Sequence, residues 1–306
     1  MLPPWLTFAI LLASVAILVW ASMVWLLSDQ FLCPPRMTDG KAVYILKRLS
    51  PGDLGLPFED VRFDVRDQAT GMRLAIAGWW IPHDNPTDRC VVMLHGFADA
   101  KVGAIAWAPT WQALGYNILA IDLRAHGDSA GRFTTAGYFE RHDIDQVINQ
   151  LRAARPDQTR HLVLFGISLG GVVALVTAWE RDDLDAVIAD CPFADYRQAI
   201  ASHAALVRMP GPAFYRPALA LAAWRSGANF DAVRPIDRVR RLTSPVLVIH
   251  SENDPVIPRA HADAFRSALQ HLPGPSEHWL VEGAGHVLGV VADPVAYRQR
   301  LRRFLE

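Results

Sequence analysis

The sequence predicts an α/β domain on a mostly parallel eight-stranded sheet with helices on both faces, preceded by one apolar helix. Three observations predict it. Short β-branched runs alternate with amphipathic helical stretches along most of the 306 residues, and that alternation builds parallel sheets. Apolar residues make up 51% of the chain and charged residues 20%, enough for a sizeable core. Residues 5–27 carry no charge at all.

That first run, Trp5 to Leu27, reads WLTFAILLASVAILVWASMVWLL. As a helix it reaches about 34 Å, enough to cross a bilayer core. It is apolar on all sides, so it is not a surface-lying amphipathic helix. Pro3 and Pro4 precede it, and Trp5, Trp20 and Trp25 lie near its ends, where indoles favour the membrane interface. No Lys or Arg precedes it, it is longer than a usual signal-peptide core, and no A-x-A site follows. The segment before Cys33 (Gln30-Phe31-Leu32) also lacks the small residues of a lipoprotein cleavage site. The expectation is a retained single-pass membrane anchor over residues 1–32, ahead of a cleaved signal or a buried soluble helix. Arg36, Lys41, Lys47 and Arg48 follow it, which by charge bias puts the large domain in the cytoplasm.

Residues 33–60 are rich in Pro, Gly and Asp and read as a linker. The main domain is expected over 61–306. Val61–Val65 and Met72–Ile81 alternate like antiparallel edge strands. Cys90–Leu94, Asn117–Leu123, His161–Ile167, Asp185–Ala189 and Val246–His250 are short apolar runs suited to strands buried on both faces. His278–Val281 is the eighth. Helices are expected at Ala104–Leu114, broken near Pro109, and at Tyr138–Ala154, Leu169–Glu180, Ala260–Leu272 and Pro294–Leu305.

Residues 193–243 interrupt this rhythm. A crossover needs about a dozen residues, and here there are roughly fifty, helical and apolar. An insertion at the carboxyl end of a parallel sheet lies where ligands bind. It reads as a small lid, with a plain packing insertion as the alternative.

Gly166-Ile167-Ser168-Leu169-Gly170 is a G-x-S-x-G motif between an apolar strand and an apolar helix, the setting of a nucleophile elbow. The serine there sits on a strained turn with its hydroxyl exposed. The flanking glycines let strand and helix approach closely. In that architecture two backbone N–H groups form an oxyanion hole, one from Leu169 and one from the loop His95-Gly96-Phe97, at Phe97. His95 reads as a buried structural histidine.

Five motifs in order, HGF, DLRAHGDS, GISLGG, ENDPVIP and GAGH, resemble the α/β-hydrolase superfamily from about residue 60 to the end. Within it the chain is similar to membrane-anchored bacterial hydrolases grouped with serine aminopeptidase-like and depalmitoylase-like proteins. The resemblance implies an α/β-hydrolase fold and a triad in the order nucleophile, acid, base: Ser168, Asp254 and His286. Asp190 and Glu252 compete for the acid. His126, His142, His203, His261, His271 and His278 compete for the base.

The implied reaction is acyl transfer to water through an acyl-serine. The lid residues Val207, Met209, Phe214, Tyr215 and Trp224 would form an apolar acyl site, so a lipophilic small-molecule ester or thioester is the expected substrate. A peptidase or amidase is the alternative, with only Asp195 and Asp231 as candidate carboxylates for a free amine. A non-catalytic binding protein on the same scaffold is a second. The serine sets the chain apart from dehalogenases and epoxide hydrolases of this fold, which use an aspartate there. There is no P-loop, dinucleotide fingerprint or metal-ligand cluster in the sequence, so no cofactor is expected. A net charge of −1 gives no case for nucleic acid. Cys33, Cys90 and Cys191 form no pair in sequence and read as isolated thiols.

Overall fold

A computed structural model describes residues 2–206, 208, 211–272 and 275–306. The eight strands are β1 (Glu59–Arg66), β2 (Arg73–Ile81), β3 (Arg89–Leu94), β4 (Asn117–Ile121), β5 (His161–Ile167), β6 (Ala186–Asp190), β7 (Val246–Ser251) and β8 (Glu277–Val281). They form one sheet in the order β1-β2-β4-β3-β5-β6-β7-β8. Only β2 runs against its neighbours; every pairing from β4 to β8 is parallel. The interior strands are buried along nearly their whole length. Their unbroken apolar runs follow from having both faces covered. β1 is an edge strand, and it alternates: Phe63 and Val65 point inward while Arg62 and Asp64 are exposed.

One face is covered by α3 (Glu140–Ala154), α4 (Leu169–Ala178) and α7 (Arg259–Leu269). The other is covered by α2 (Ala108–Ala113) and α8 (Pro294–Leu305). The break expected near Pro109 lies just before it, as a 3-10 turn at Ile105–Trp107. Pro109 itself sits in the first turn of α2, where a missing N–H leaves no bond unmade.

The apolar run forms α1 (Pro4–Leu32), a helix long and apolar enough to cross a membrane. It outlasts the uncharged stretch by five residues, and its final turns enter the core. Val24, Leu27, Ser28, Phe31 and Leu32 are buried. The Leu32 carbonyl accepts the Thr134 N–H at 2.9 Å. Beyond it, the Arg36 guanidinium donates to the carbonyls of Gly127 (2.7 Å), Ser129 (2.8 Å) and Gly131 (3.1 Å). The expected boundary at residue 33 is therefore a place where the chain is bonded tightly to the sheet's carboxyl end.

The insertion contains α5 (Tyr196–Leu206) and α6 (Pro212–Ser226). α6 lies along α1. Trp20 Nε1 donates to the Ala213 carbonyl at 3.0 Å. Arg225 donates to Ser28 Oγ at 3.0 Å and to Asp29 Oδ1 at 2.7 Å, and its guanidinium lies 4.3 Å from the Trp25 ring centre.

An ionic cluster after β4 is built on a buried pair, Lys101 with Asp122, to which the exposed Asp128 adds a third member. Lys101 Nζ donates at 2.6 Å to both Asp122 and Asp128. Asp122 is fully buried, and it also accepts the backbone N–H groups of Lys101 and Asp128. Removing one member of such a pair strands a buried charge. Lys101→Met should therefore lower unfolding free energy by about 3–5 kcal/mol, measured by urea denaturation. A loss below about 1 kcal/mol would mean the cluster behaves like an exposed surface pair.

Candidate active site

Ser168 stands between β5 and α4 with φ 53° and ψ −113°, a region that non-glycine residues rarely enter. Two close approaches impose it. A Cβ on Gly166 would lie 2.0 Å from the Gly170 carbonyl oxygen, and one on Gly170 would lie 2.2 Å from the Leu94 carbonyl oxygen. Strand and helix thus meet backbone to backbone, as the sequence motif implied. The Ser168 N–H donates to the Asp190 carbonyl at 2.7 Å, tying the turn to the end of β6.

Three side chains from three strand ends converge here. The His286 ring lies 3.0 Å through Nε2 from Ser168 Oγ, and 2.6 Å through Nδ1 from Asp254 Oδ2. The other Asp254 oxygen accepts the N–H groups of Val256 and Ile257, each at 2.8 Å. This leaves Nδ1 as the donor to Asp254 and Nε2 as an acceptor facing the serine hydroxyl. Burial pulls the Asp254 carboxyl upward. The His286 bond and charge and the two N–H groups outweigh it and hold it below the usual carboxylate range.

The competing acids are engaged elsewhere. Asp190 is fully buried and accepts the Tyr297 hydroxyl at 2.7 Å. Glu252 accepts the Gly283 N–H at 3.0 Å. Among the competing bases, His126 is buried with Nδ1 against the Arg124 carbonyl, and His261 accepts the Ala194 N–H. His142 lies beside Glu180. His95 accepts the Leu123 N–H at 3.0 Å, so its Nδ1 donates to the Gly96 carbonyl at 2.7 Å. Burial keeps that ring neutral.

The ligand atoms of Cys191, Asp254 and His286 lie within 4.8 Å of one another. They fit a metal poorly. The Asp254–His286 bond occupies one donor atom of each, and their others meet the N–H groups of Val256 and Ile257 and the Ser168 hydroxyl. Burial pushes the Cys191 thiol up, away from the thiolate a metal needs.

A cavity of about 460 Å³ opens over Ser168, within the size range of small-molecule sites. Phe97 and Leu169 border it. Among the described residues no Asp, Glu, Lys or Arg lines it. The expected acyl site differs in membership. Val207 and Met209 lie outside the described residues. Phe214 and Tyr215 are half-buried against the core on α6 and do not line the cavity; Trp224, also on α6, is 79% exposed. The residues that α6 buries are Ala218, Leu219 and Ala222.

The insertion reaches the cavity through α5 instead, with Tyr196, Ala199, Ile200 and His203. Sequence reasoning missed these, and also Val256 and Ile257, whose place directly after Asp254 was the available signal. It also missed Gln30, Phe31, Cys33 and Pro35 from the end of α1 and the residues after it.

A family model described as serine aminopeptidase, family S33, matches residues 85–227. The chain is 32% identical over 219 residues to YfhR of Escherichia coli, covering 68% of this chain and 67% of that one. It is 29% identical over 231 residues to YqkD of Bacillus subtilis, covering 74% and 73%. The human alpha/beta hydrolase domain-containing protein 17C is 30% identical over 189 residues, 62% of this chain and 49% of its own. Among solved structures, the Pyrococcus furiosus esterase Pf2001 superposes with a TM-score of 0.70 at 25% identity, covering 89% and 98%.

Acid should unfold the protein through groups near this site. Burial, with His278 alongside, drives His250 down to about 3, and burial drives His278 to about 4. Their unfolded forms take up protons below about pH 6.5, before the native forms do. Asp254 is likewise protonated first in the unfolded chain, but only within and below the carboxylate range. In each case the unfolded state binds more protons as pH falls, so stability falls too. The urea midpoint should be flat above about pH 7 and decline from about pH 6.5 toward pH 4, less steeply than these histidines alone would give, because burial raises Asp99 and Asp143 to about 6 and both take up protons first in the native state. A constant midpoint over that interval would contradict the buried neutral histidines.

Proposed function

Because the chain belongs to the α/β-hydrolase superfamily, we propose that it is a serine hydrolase cleaving a lipophilic carboxylic ester or thioester, held at a membrane by α1. The observation that carries this reading is the unbroken chain of hydrogen bonds from Asp254 through His286 to Ser168, opening into a cavity that no Asp, Glu, Lys or Arg lines among the described residues.

In this reading Ser168 Oγ attacks the acyl carbon and its proton passes to His286 Nε2. Asp254 holds the imidazolium that forms. The backbone N–H groups of Phe97 and Leu169 receive the oxyanion. Among the described residues neither N–H has a protein acceptor, so both are free for that role. Collapse expels the alcohol or thiol, which takes the proton from His286. Water then attacks the acyl-serine, gives its proton to His286, and releases the acid as Ser168 recovers its own proton.

A free-amine peptidase is less well supported. Asp195 is paired with Arg234 at 3.1 Å, Asp231 is paired with Arg197, and neither lines the cavity. Among the described residues no carboxylate lines the cavity to receive an ammonium group.

The test is hydrolysis of p-nitrophenyl esters from acetyl to palmitoyl by the full chain in lipid vesicles. Activity should rise with chain length. It should vanish in Ser168→Ala and fall about 10⁴-fold in Asp254→Asn, which leaves the imidazole in the wrong tautomer. Activity confined to acetyl esters would remove the lipophilic substrate. Activity surviving in Ser168→Ala would remove the serine mechanism.

A further inference from the structure

We propose that the last turn of α1 and the residues just after it form one wall of the acyl-chain site, so that the apolar N-terminal helix also selects the chain length accepted. This rests on the acyl-hydrolase reading above and adds to it a substrate-binding element outside the hydrolase domain proper.

The cavity over Ser168 is bounded on one side by α5, with Tyr196 and Ile200. On another side it is bounded by Gln30, Phe31, Cys33 and Pro35. Phe31 and Pro35 present apolar surface to a space that begins at the serine, and no charged group intervenes among the described residues. A chain bonded through its carbonyl to Ser168 must extend into this space, and burying apolar surface there is favourable.

The wall is also held in place. Leu32 is fully buried, and its carbonyl is bonded to the N–H of Thr134, a residue that lines the same cavity. Arg225 grips Ser28 and Asp29 one turn earlier, and Arg36 binds three loop carbonyls just beyond. A surface fixed at both ends can discriminate by length, because a longer or shorter chain meets it without the wall giving way.

Cys33 supplies a direct reporter. Cys90 and Cys191 are fully buried, whereas Cys33 is partly exposed and faces the cavity. Burial, with Asp29 beside it, raises its thiol, so formation of its mixed disulfide is followed in mildly alkaline buffer. The full chain in lipid vesicles is first treated with an ethyl or a dodecyl fluorophosphonate, placing a short or long chain on Ser168. The rate of Cys33 modification by methyl methanethiosulfonate is then read by mass spectrometry. The dodecyl adduct should slow it at least tenfold relative to the ethyl adduct. Equal rates for the two adducts would overturn the wall and leave the hydrolase reading intact. Failure of Ser168 to form any adduct in folded protein would overturn both.

A substitution gives a second readout. Gln30→Trp should reduce kcat/KM for palmitoyl esters by about tenfold or more, the order that one methylene of lost fit costs, and reduce it far less for acetyl esters. An equal reduction at every length would show that the helix only supports the fold.

Discussion

Everything about this site depends on one contact: the backbone of α4 pressed against the ends of β3 and β5. With hydrogen as the only side chain at Gly166 and Gly170, the helix starts one residue after the strand ends. The chain must turn at Ser168 in a conformation that costs on the order of 1–3 kcal/mol. That cost is offset by what the contact permits. All ten residues of α4 are buried, and the Ser168 N–H is bonded to the next strand. The elbow then fixes where every other group must arrive. β7 and β8 run parallel to β5 and end at the same edge, so the loops after them deliver Asp254 and His286 from the same side.

The loops at that edge would be costly to bury without internal partners, and this chain supplies them in a layered way. Asp122 gathers Lys101 and two backbone N–H groups. Arg124 makes a two-pronged contact with Asp143, at 2.6 and 2.7 Å. Glu140 accepts from Thr134, Thr135 and the Gly137 N–H. This web sits under the segment that Arg36 closes from above. Thr134 belongs to it, to the cavity, and to the bond that ends α1. Site, web and helix end are thus one continuous structure.

Much of this was legible in the sequence, because much of it is local. Strand runs announce themselves by burial on both faces, and the observed boundaries of β3 to β7 differ from the expected ones by no more than two residues. The elbow and the residues flanking Asp254 and His286 are short patterns whose geometry is set by neighbours in the chain. What could not be read was which apolar surface meets which. Phe214, Tyr215 and Trp224 promised a greasy helix, and α6 is one. A hydrophobic face specifies that it will be covered, without naming the partner. Ser28 and Asp29 looked like the end of an apolar segment. They form a polar patch, Ser28 buried and Asp29 half-exposed, answered by Arg225 almost two hundred residues away. Trp20 and Trp25 suggested an interface belt, yet each also has a partner on α6.

The length of α1 has a consequence of its own. The uncharged stretch of α1, residues 5–27, extends about 34 Å, while a hydrocarbon core measures about 30 Å. A free helix absorbs such hydrophobic mismatch by tilting. This one is rooted at its carboxyl end, so its tilt is tied to the orientation of the whole domain. In a bilayer, a change in lipid thickness would then rock the domain or deform the surrounding lipid. The depth at which the cavity meets the leaflet becomes a property of the membrane as much as of the protein.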